Sequence, residues 1–186
     1  MPENPPAPRE RLSAERIVEE ALELAKQEGV RGISMRPLAA RFGVSATALY
    51  GHIDSRDALL SMMLDRVLDG VPALGEDLGW EETLRAGALQ MREAFGSYPQ
   101  LALEALGGNA TSEHARANGE NVRGQLGAAG FDEATANLVA TTWARYTLSF
   151  LAAAEHVPEG NEPLREEAYE LGLDVMLAGL RAKLAG

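Results

Sequence analysis

The sequence predicts an all-α protein of about nine helices, in which an N-terminal three-helix helix-turn-helix domain precedes a C-terminal helical domain. Apolar residues recur every three or four positions through most of the 186 residues, and this is the spacing of amphipathic helices. No segment shows the strict alternation of polar and apolar residues that is typical of a strand. Two short helical segments separated by Gly43, Val44 and Ser45 have the spacing of a helix-turn-helix.

The N-terminal residues predict a tail followed by one supporting helix. Residues 1–9 hold four of the nine prolines, so we expect a flexible tail there. Ser13 can cap the first helix, because its hydroxyl can accept a hydrogen bond from a free backbone N–H. An apolar stripe continues to Glu28, and Gly29 can end the helix.

The helix-turn-helix follows directly. A second helix is predicted over residues 36–42, and Gly43 can adopt the left-handed conformation that the turn needs. Ser45 can cap a third helix over residues 46–52. We expect Val44 to fill the space between the two short helices. In such a unit, the later of the two short helices enters the major groove of DNA.

A connecting helix and a larger helical body make up the remaining chain. Asp54 or Ser55 can cap a fourth helix that ends near Gly70. Helical spacing between glycine and proline breaks predicts further helices over residues 80–98, 100–106, 112–128, 132–156 and 163–184. The predicted organisation is a tail at 1–9, a DNA-binding domain at 10–56, a connecting helix at 57–72 and a C-terminal domain at 73–186.

The net charge of −11 argues against a nucleic-acid partner only until its distribution is considered. Residues 1–60 carry a net charge of −1, whereas residues 61–186 carry −10. Between positions 30 and 56, four arginines accompany a single acidic residue, Asp54. Phosphate contact requires a local basic patch rather than a basic chain, and the acidic remainder would orient the protein on DNA.

The motif GVRGISMRPLAARFGVSATALYGHIDSRDALL contains R-x-L-A, G-V-S and L-Y-x-H before a capped fourth helix. From Glu10 to about Leu68, the chain resembles the DNA-binding domain of the TetR family of bacterial transcriptional regulators. The resemblance covers about a third of the chain, and the remainder matches in helical content and length. It implies a homodimer that binds a palindromic double-stranded DNA operator and releases it when a small molecule occupies the C-terminal domain. A soluble, cytoplasmic protein is expected separately, from the lack of a signal peptide and of a membrane-spanning segment.

The resemblance implies DNA-contact roles for seven residues. Arg36 matches a position near the start of the second helix that reaches DNA, and Arg56 matches a phosphate-binding position at the start of the fourth helix. The other five match the exposed start and the phosphate-facing end of the recognition helix: Ser45, Ala46, Thr47, Tyr50 and His52.

The predicted reading surface is sparse. Ala46, Ala48 and Gly51 have no hydrogen-bonding side chain, so direct base reading falls mainly to Arg36 and Thr47. For four side chains in this region, a structural role without DNA contact is an alternative. The phenol of Tyr50 can bond a phosphate or support local packing, His52 can pack against the fourth helix, and Arg31 and Arg41 can be solvated surface.

The C-terminal helices carry candidate residues for binding an effector. Aromatic and flexible apolar side chains recur on successive helices beside a few polar groups, a combination that suits either an ordinary core or a ligand pocket. We expect a small, largely apolar effector. The candidate residues are Met91, Phe95, Tyr98, Asn118, Asn121, Thr142, Trp143, Tyr146 and Phe150.

The last two predicted helices are the expected dimer surface. The final helix carries two apolar stripes, although one monomer core needs only one. The first stripe contains Leu164, Ala168, Leu171 and Val175, and the second contains Leu173, Leu177, Leu180 and Leu184. We therefore expect a symmetric homodimer with a four-helix interface.

Other functional classes receive little support. The chain has no cysteine, and its three histidines lie far apart without an H-x-x-x-H pair. We therefore predict no catalytic residues, no metal site, no cofactor and no enzyme activity. The N-terminus lacks the features of a signal peptide, and no apolar segment approaches the ~20 residues that cross a bilayer. A helical enzyme on the same fold and a helix-turn-helix that binds DNA non-specifically or a protein partner remain alternatives.

Overall fold

The computed structural model describes residues 12–72, 74–75, 77–108, 110–153 and 162–185. In these ranges the chain forms nine α-helices and one 3-10 turn, without a strand, which confirms the predicted all-α fold. The elements are α1 (Ala14–Glu28), a 3-10 turn (Val30–Gly32), α2 (Met35–Phe42), α3 (Ala46–Tyr50), α4 (Arg56–Leu68), α5 (Trp80–Phe95), α6 (Pro99–Leu106), α7 (Glu113–Ala128), α8 (Glu133–Ala152) and α9 (Glu162–Ala185). The predicted tail and the predicted helix end at residue 156 lie outside the described residues.

Side-chain caps fix where several helices begin, because each accepts a hydrogen bond from a backbone N–H that has no partner within the helix. Ser55, rather than Asp54, caps α4 by accepting from the Ala58 N–H at 3.0 Å. Ser34 stands at the cap position of α2 without making such a bond. The same kind of cap begins α1, α3, α7 and α8 at Ser13, Ser45, Ser112 and Asp132.

Two helices end earlier than the sequence patterns predict. The third helix stops at Tyr50 because the His52 N–H turns back to the Leu49 carbonyl at 2.9 Å, and Ile53 then enters the core. The fifth helix stops at Phe95, and Tyr98 leads into a new helix that begins at a proline. Proline suits a first helical turn, where its missing N–H needs no partner.

The buried side chains form two apolar cores. The first joins α1 to α4 and also receives Phe95, Leu101 and Leu151 from α5, α6 and α8. The second lies among α5, α7, α8 and α9, around Leu84 and Trp143. The helix-turn-helix therefore shares its core with the C-terminal helices. The domain limits predicted from the sequence stay a prediction, and the first core itself extends across them.

The two apolar stripes of α9 have different surroundings. Leu173, Leu177 and Leu180 are buried in the second core. The other stripe faces solvent, with 65%, 64% and 65% of Leu164, Leu171 and Val175 exposed. Among the residues that the structure describes, only the stripe of Leu173, Leu177 and Leu180 packs into a core.

A glycine allows α8 and α9 to approach closely. The Tyr146 hydroxyl donates a hydrogen bond to the Tyr169 carbonyl at 2.7 Å, and the two rings stack with their centroids 5.6 Å apart. A Cβ atom at Gly172 would lie 2.2 Å from the Tyr146 oxygen and 2.7 Å from the ring carbon that bears it. A side chain at position 172 would therefore displace the Tyr146 ring.

We predict that Gly172→Ala lowers the free energy of unfolding by about 1–3 kcal/mol, because the added methyl group overpacks the contact between α8 and α9. Urea denaturation at one fixed protein concentration measures the change. Gly124→Ala in α7 is the matched control, since no atom lies within 4 Å of a Cβ atom there. Helix propensity should make the control more stable by about 0.8–1 kcal/mol. Equal stabilisation of both variants would contradict the close approach at Gly172.

Candidate nucleic-acid interface and cavity

The turn between α2 and α3 is built by one left-handed glycine. Gly43 has φ 66°, and its N–H bonds the last carbonyls of α2, at Ala39 and Ala40. The Val44 N–H then bonds the Ala39 carbonyl at 3.1 Å. Leu49 is fully buried and anchors α3 against the core. The expectation that Val44 fills this space is wrong, because it is 36% exposed and the buried Leu38 and Leu49 do so instead.

Most of the predicted DNA-contact residues are exposed. Thr47 and Tyr50 lie three residues apart and therefore share one face of α3, while the intervening Leu49 points into the core. Arg36 is exposed on α2 and makes no ion pair with the described residues. The exposed residues are Arg36, Ser45, Thr47, Tyr50 and His52, whereas Ala46 and Arg56 are partly buried.

His52 lies near the N-terminus of α1. It contributes to holding the pKa of Glu15 below its ordinary value, although the main causes are hydrogen bonds from the Glu15 backbone N–H and the Ser13 hydroxyl. His52 is exposed at this point, just beyond the end of α3. His52, two residues beyond the end of α3, therefore lies close to the start of α1.

Two of the four arginines in the basic segment are already paired with carboxylates. Arg41 forms an ion pair with Glu20 on α1. Arg56 pairs with Glu104 on α6 at 3.3 Å. Among the residues that the structure describes, Arg31 and Arg36 have no carboxylate partner. The positive charge left for phosphate is therefore concentrated on these two side chains.

Arg56 links α4 to the 3-10 turn and to α6, next to the helix-turn-helix. From α4, its Nε atom donates to the Ile33 carbonyl at 3.2 Å, and its Nη2 atom donates to the Val30 carbonyl at 3.4 Å. The same Nη2 atom donates to Glu104 of α6. The predicted phosphate contact of Arg56 stays a prediction, and the structure adds an internal role that the sequence did not indicate.

A cavity of about 380 Å³ lies among α4, α5, α6, α7 and α8. This volume is in the range of small-molecule sites, about 300–1,000 Å³. The Trp143 ring forms part of the wall and is fixed by its Nε1–H, which donates to the Leu84 carbonyl at 3.1 Å. Gly87 leaves room for that ring, since a Cβ atom there would lie 3.0 Å from it. Apolar side chains that include Leu68, Val71, Leu74, Met91 and Leu148 line the cavity.

The structure brings only part of the predicted ligand set to this cavity. Met91, Asn118 and Trp143 line it, and Asn121 donates to the Leu74 carbonyl behind its wall at 3.3 Å. Phe95 belongs to the first core, and Tyr98 lies beneath the Lys26 ammonium group. Thr142, Tyr146 and Phe150 line a separate surface depression on α8. Polar cavity residues outside the predicted set are Gln90, Arg123, Thr141 and Arg145.

The comparison with known proteins agrees with this geometry. The family model described as bacterial regulatory proteins of the tetR family matches residues 17–63. A helix-turn-helix transcriptional regulator of Saccharopolyspora erythraea is 32% identical over 144 residues, which is 76% of this chain. Residues 17–63 therefore belong to a TetR-family DNA-binding domain. The match spans 61% of the length of that relative.

A second curated relative and a solved structure are also similar to this chain. The transcriptional repressor DrrR1 of Streptomyces coeruleorubidus is 36% identical over 96 residues, which cover 50% of this chain and 36% of the repressor. The crystal structure of a single-site TetR variant from Acinetobacter baumannii in complex with minocycline superposes with a TM-score of 0.82. It covers 95% of this chain and all of that chain at 24% identity, and so it shows the fold. The two curated relatives are named as a transcriptional regulator and a transcriptional repressor.

Neither a membrane-spanning helix nor a metal-binding cluster occurs in the described part of the chain. No helix in these ranges has the length and apolar character that a membrane crossing requires. Likewise, the described histidine, aspartate and glutamate side chains nowhere gather in a group of three that could hold a metal ion.

Replacing Arg36 or Arg56 by alanine should change the free energy of unfolding by different amounts. We predict that Arg56→Ala lowers the free energy of unfolding by about 1–2 kcal/mol, because it removes charge-assisted hydrogen bonds to Val30, Ile33 and Glu104. Arg36→Ala should change it by less than about 0.5 kcal/mol, since the side chain is exposed and unpaired among the described residues. Urea denaturation of both variants measures the difference. An unchanged Arg56→Ala variant would argue against the internal role.

Proposed function

We propose that this TetR-family chain is a transcriptional repressor that binds a palindromic DNA operator as a homodimer and releases it when a small, largely apolar effector enters the cavity. One observation carries the proposal. The short helix α6 contributes Ala105 and Leu106 to the cavity wall, and its Glu104 binds Arg56 at the base of the helix-turn-helix. An effector in the cavity therefore touches the helix that holds the DNA-binding unit.

The exposed face of α3 supports DNA recognition. A major groove accepts a helix whose polar side chains point outward from an anchored apolar face, and α3 has this form. Arg36 can bind guanine with two hydrogen bonds, Thr47 can bond a base edge, and the alanines can contact thymine methyl groups. We assign phosphate contacts to Tyr50 and His52, which are exposed at and just beyond the end of α3. With so few base contacts, phosphate binding and dimer geometry supply most of the affinity.

The exposed stripe of α9 supports the homodimer. Leu164, Leu171 and Val175 present a continuous apolar surface that single soluble chains rarely leave in water. A two-fold axis would place the same stripe of a second copy against it, together with α8. Two recognition helices held about 34–36 Å apart then reach successive major grooves on one side of the DNA, which requires a palindromic site.

Two helices that line the cavity, α4 and α6, also contact the helix-turn-helix region, and this supports release by an effector. The wall includes Leu68 of α4, and α4 begins at Arg56 beneath the helix-turn-helix. The Gln100 side chain of α6 also accepts a hydrogen bond from the Arg31 N–H at 3.0 Å. An effector that prefers one arrangement of α4 and α6 would shift the population between two spacings of the recognition helices. DNA binding also places the protein with the bacterial chromosome in the cytoplasm.

The first functional test concerns base reading. We predict that Arg36→Ala weakens operator binding by about 1–3 kcal/mol and relaxes sequence preference. Fluorescence anisotropy at one stated salt concentration measures affinity for DNA upstream of the gene and for random DNA. Arg165→Ala in α9 is the control, because it removes the same charge outside the helix-turn-helix. Unchanged discrimination in the Arg36 variant would remove Arg36 from the reading surface.

The second test concerns the dimer. We predict that Leu171→Arg produces a folded monomer with weakened operator binding, because two buried arginines would face each other across the two-fold axis. Multi-angle light scattering at micromolar concentration measures the mass. Leu89→Arg is the matched control, since Leu89 is an exposed leucine on α5. A dimer in both variants would exclude the α9 stripe as the interface.

A further inference from the structure

We propose that the cavity binds an aromatic molecule that carries an anionic group, and that Arg123 and Arg145 bind this group, on the premise of the proposed function that the cavity is an effector site. Arg123 of α7 is partly buried and lines the cavity, and Arg145 of α8 is an exposed residue at its rim that also borders the surface depression on α8. The lining contains no aspartate or glutamate among the described residues. Two cations from different helices therefore share one concave site without a described carboxylate in its wall.

The surroundings of these arginines differ from those of most other arginines in the C-terminal helices. Four of those arginines form ion pairs: Arg85 with Asp174, Arg92 with Glu166, Arg116 with Glu120 and Arg181 with Glu81. Arg123 and Arg145 make no ion pair with any residue in the described part of the chain. Because the chain has 28 acidic and 17 basic residues, carboxylates are abundant. Two arginines at one cavity that lack a carboxylate partner among the described residues therefore differ from this general pattern.

The physical consequence is a preference for anions. A guanidinium group beside apolar walls loses part of its hydration, and an anion bound there restores the lost interactions through charge-assisted hydrogen bonds. Arginine presents a planar fork of N–H donors that fits carboxylate, sulfonate and phosphate oxygens. A cationic molecule would instead be repelled by both side chains. Coulomb interactions are stronger here than in bulk water, because the apolar walls lower the local dielectric constant.

Gly119 of α7 leaves space for the guanidinium group of Arg123 at the cavity. A Cβ atom on Gly119 would lie 3.3 Å from Nη1 of Arg123, so the absence of a side chain at this position leaves room for the guanidinium. Asn118 of α7 also lines the cavity, and its amide group can donate a hydrogen bond to the same anion, whereas the Gln90 amide already donates to the Pro72 carbonyl at 3.1 Å. The polar part of the ligand is therefore expected near α7.

The remaining wall suits an aromatic body. Trp143 offers a flat ring that its hydrogen bond to Leu84 keeps in place, and Met91 adds a polarizable side chain. Leu68 and Leu148 complete the apolar surface. An aromatic acid can place its rings against this wall and its anionic group against Arg123 and Arg145.

Two fluorescent dyes with the same ring system test the inference. 1-Anilinonaphthalene-8-sulfonate carries a sulfonate, and N-phenyl-1-naphthylamine is its counterpart without one. Fluorescence titration of the full-length protein should show that the sulfonate binds about tenfold or more tightly than the neutral dye. The preference should weaken as salt is added, because ions screen the attraction at the cavity mouth.

Variants locate the anion site. Arg123→Gln and Arg145→Gln should each reduce affinity for the sulfonate about tenfold and leave affinity for the neutral dye unchanged, because only the charge contact is removed. Arg165→Gln on α9 is the control and should change neither affinity, since Arg165 lies outside this cavity. Circular dichroism and urea denaturation establish that each variant is folded. Competition by 1-naphthaleneacetic acid, but not by 1-naphthaleneacetamide, extends the result from sulfonate to carboxylate.

The outcomes separate this inference from the proposed function. Equal affinity for both dyes, no binding of either dye, or no effect of the two arginine variants would overturn the anion site. Operator binding is measured separately by anisotropy. If the neutral dye alone releases the operator, the effector function stands and the anionic class is wrong. If the sulfonate binds through Arg123 and Arg145 but no operator is bound, the anion site stands and the proposed function fails.

Discussion

The helix-turn-helix of this chain shares its apolar core with the C-terminal helices. A unit of about 45 residues buries a smaller fraction of its surface by itself than a larger domain does and is marginally stable. Here additional support comes from Phe95, Leu101 and Leu151, which belong to α5, α6 and α8 and enter the core formed by α1 to α4. The orientation of the recognition helix therefore depends on helices that also surround the cavity. A change in the position of α6 must alter either the shared core or the polar contacts that bind α6 to the 3-10 turn.

Those polar contacts are specific enough to transmit such a change. Arg56 and Gln100 both bond backbone groups in or next to the 3-10 turn, one from α4 and the other from α6. At a second point, Asp65 of α4 accepts hydrogen bonds from the Ser112 hydroxyl and the Glu113 N–H at the start of α7. The connecting helix is thus held at its base by α6 and farther along by α7. The cavity meets α4 at Leu68, about one turn beyond Asp65, so a bound molecule contacts the end of α4 that lies farthest from Arg56.

Features that depend on near neighbours in the chain could be predicted from the sequence. Gly43 needs only its own conformational freedom to form the turn, and Ser55 needs only an N–H three residues away to cap a helix. The all-α fold, its helix order and the exposed face of α3 follow from such local patterns. The ends of helices were less predictable, because Tyr50 and Phe95 become terminal through turns that compete with continued helix.

Contacts between distant parts of the chain left no sequence signal, and Arg56 and Glu104, 48 residues apart, are the clearest case. A helical stripe shows which residues point inward, but it does not show whether the space that they face is filled. Phe95 therefore lies in packed core while Met91, one turn away, faces the cavity.

The solvent-facing stripe of α9 has a consequence for gene dosage. If two copies must join through Leu164, Leu171 and Val175 before the operator can be held, DNA occupancy varies with the square of the monomer concentration while most chains are single. Halving the number of copies in a cell then reduces the dimer about fourfold. A small change in synthesis or degradation would alter transcription more than proportionally. The same apolar side chains would thus make the control circuit respond steeply to the amount of its own regulator.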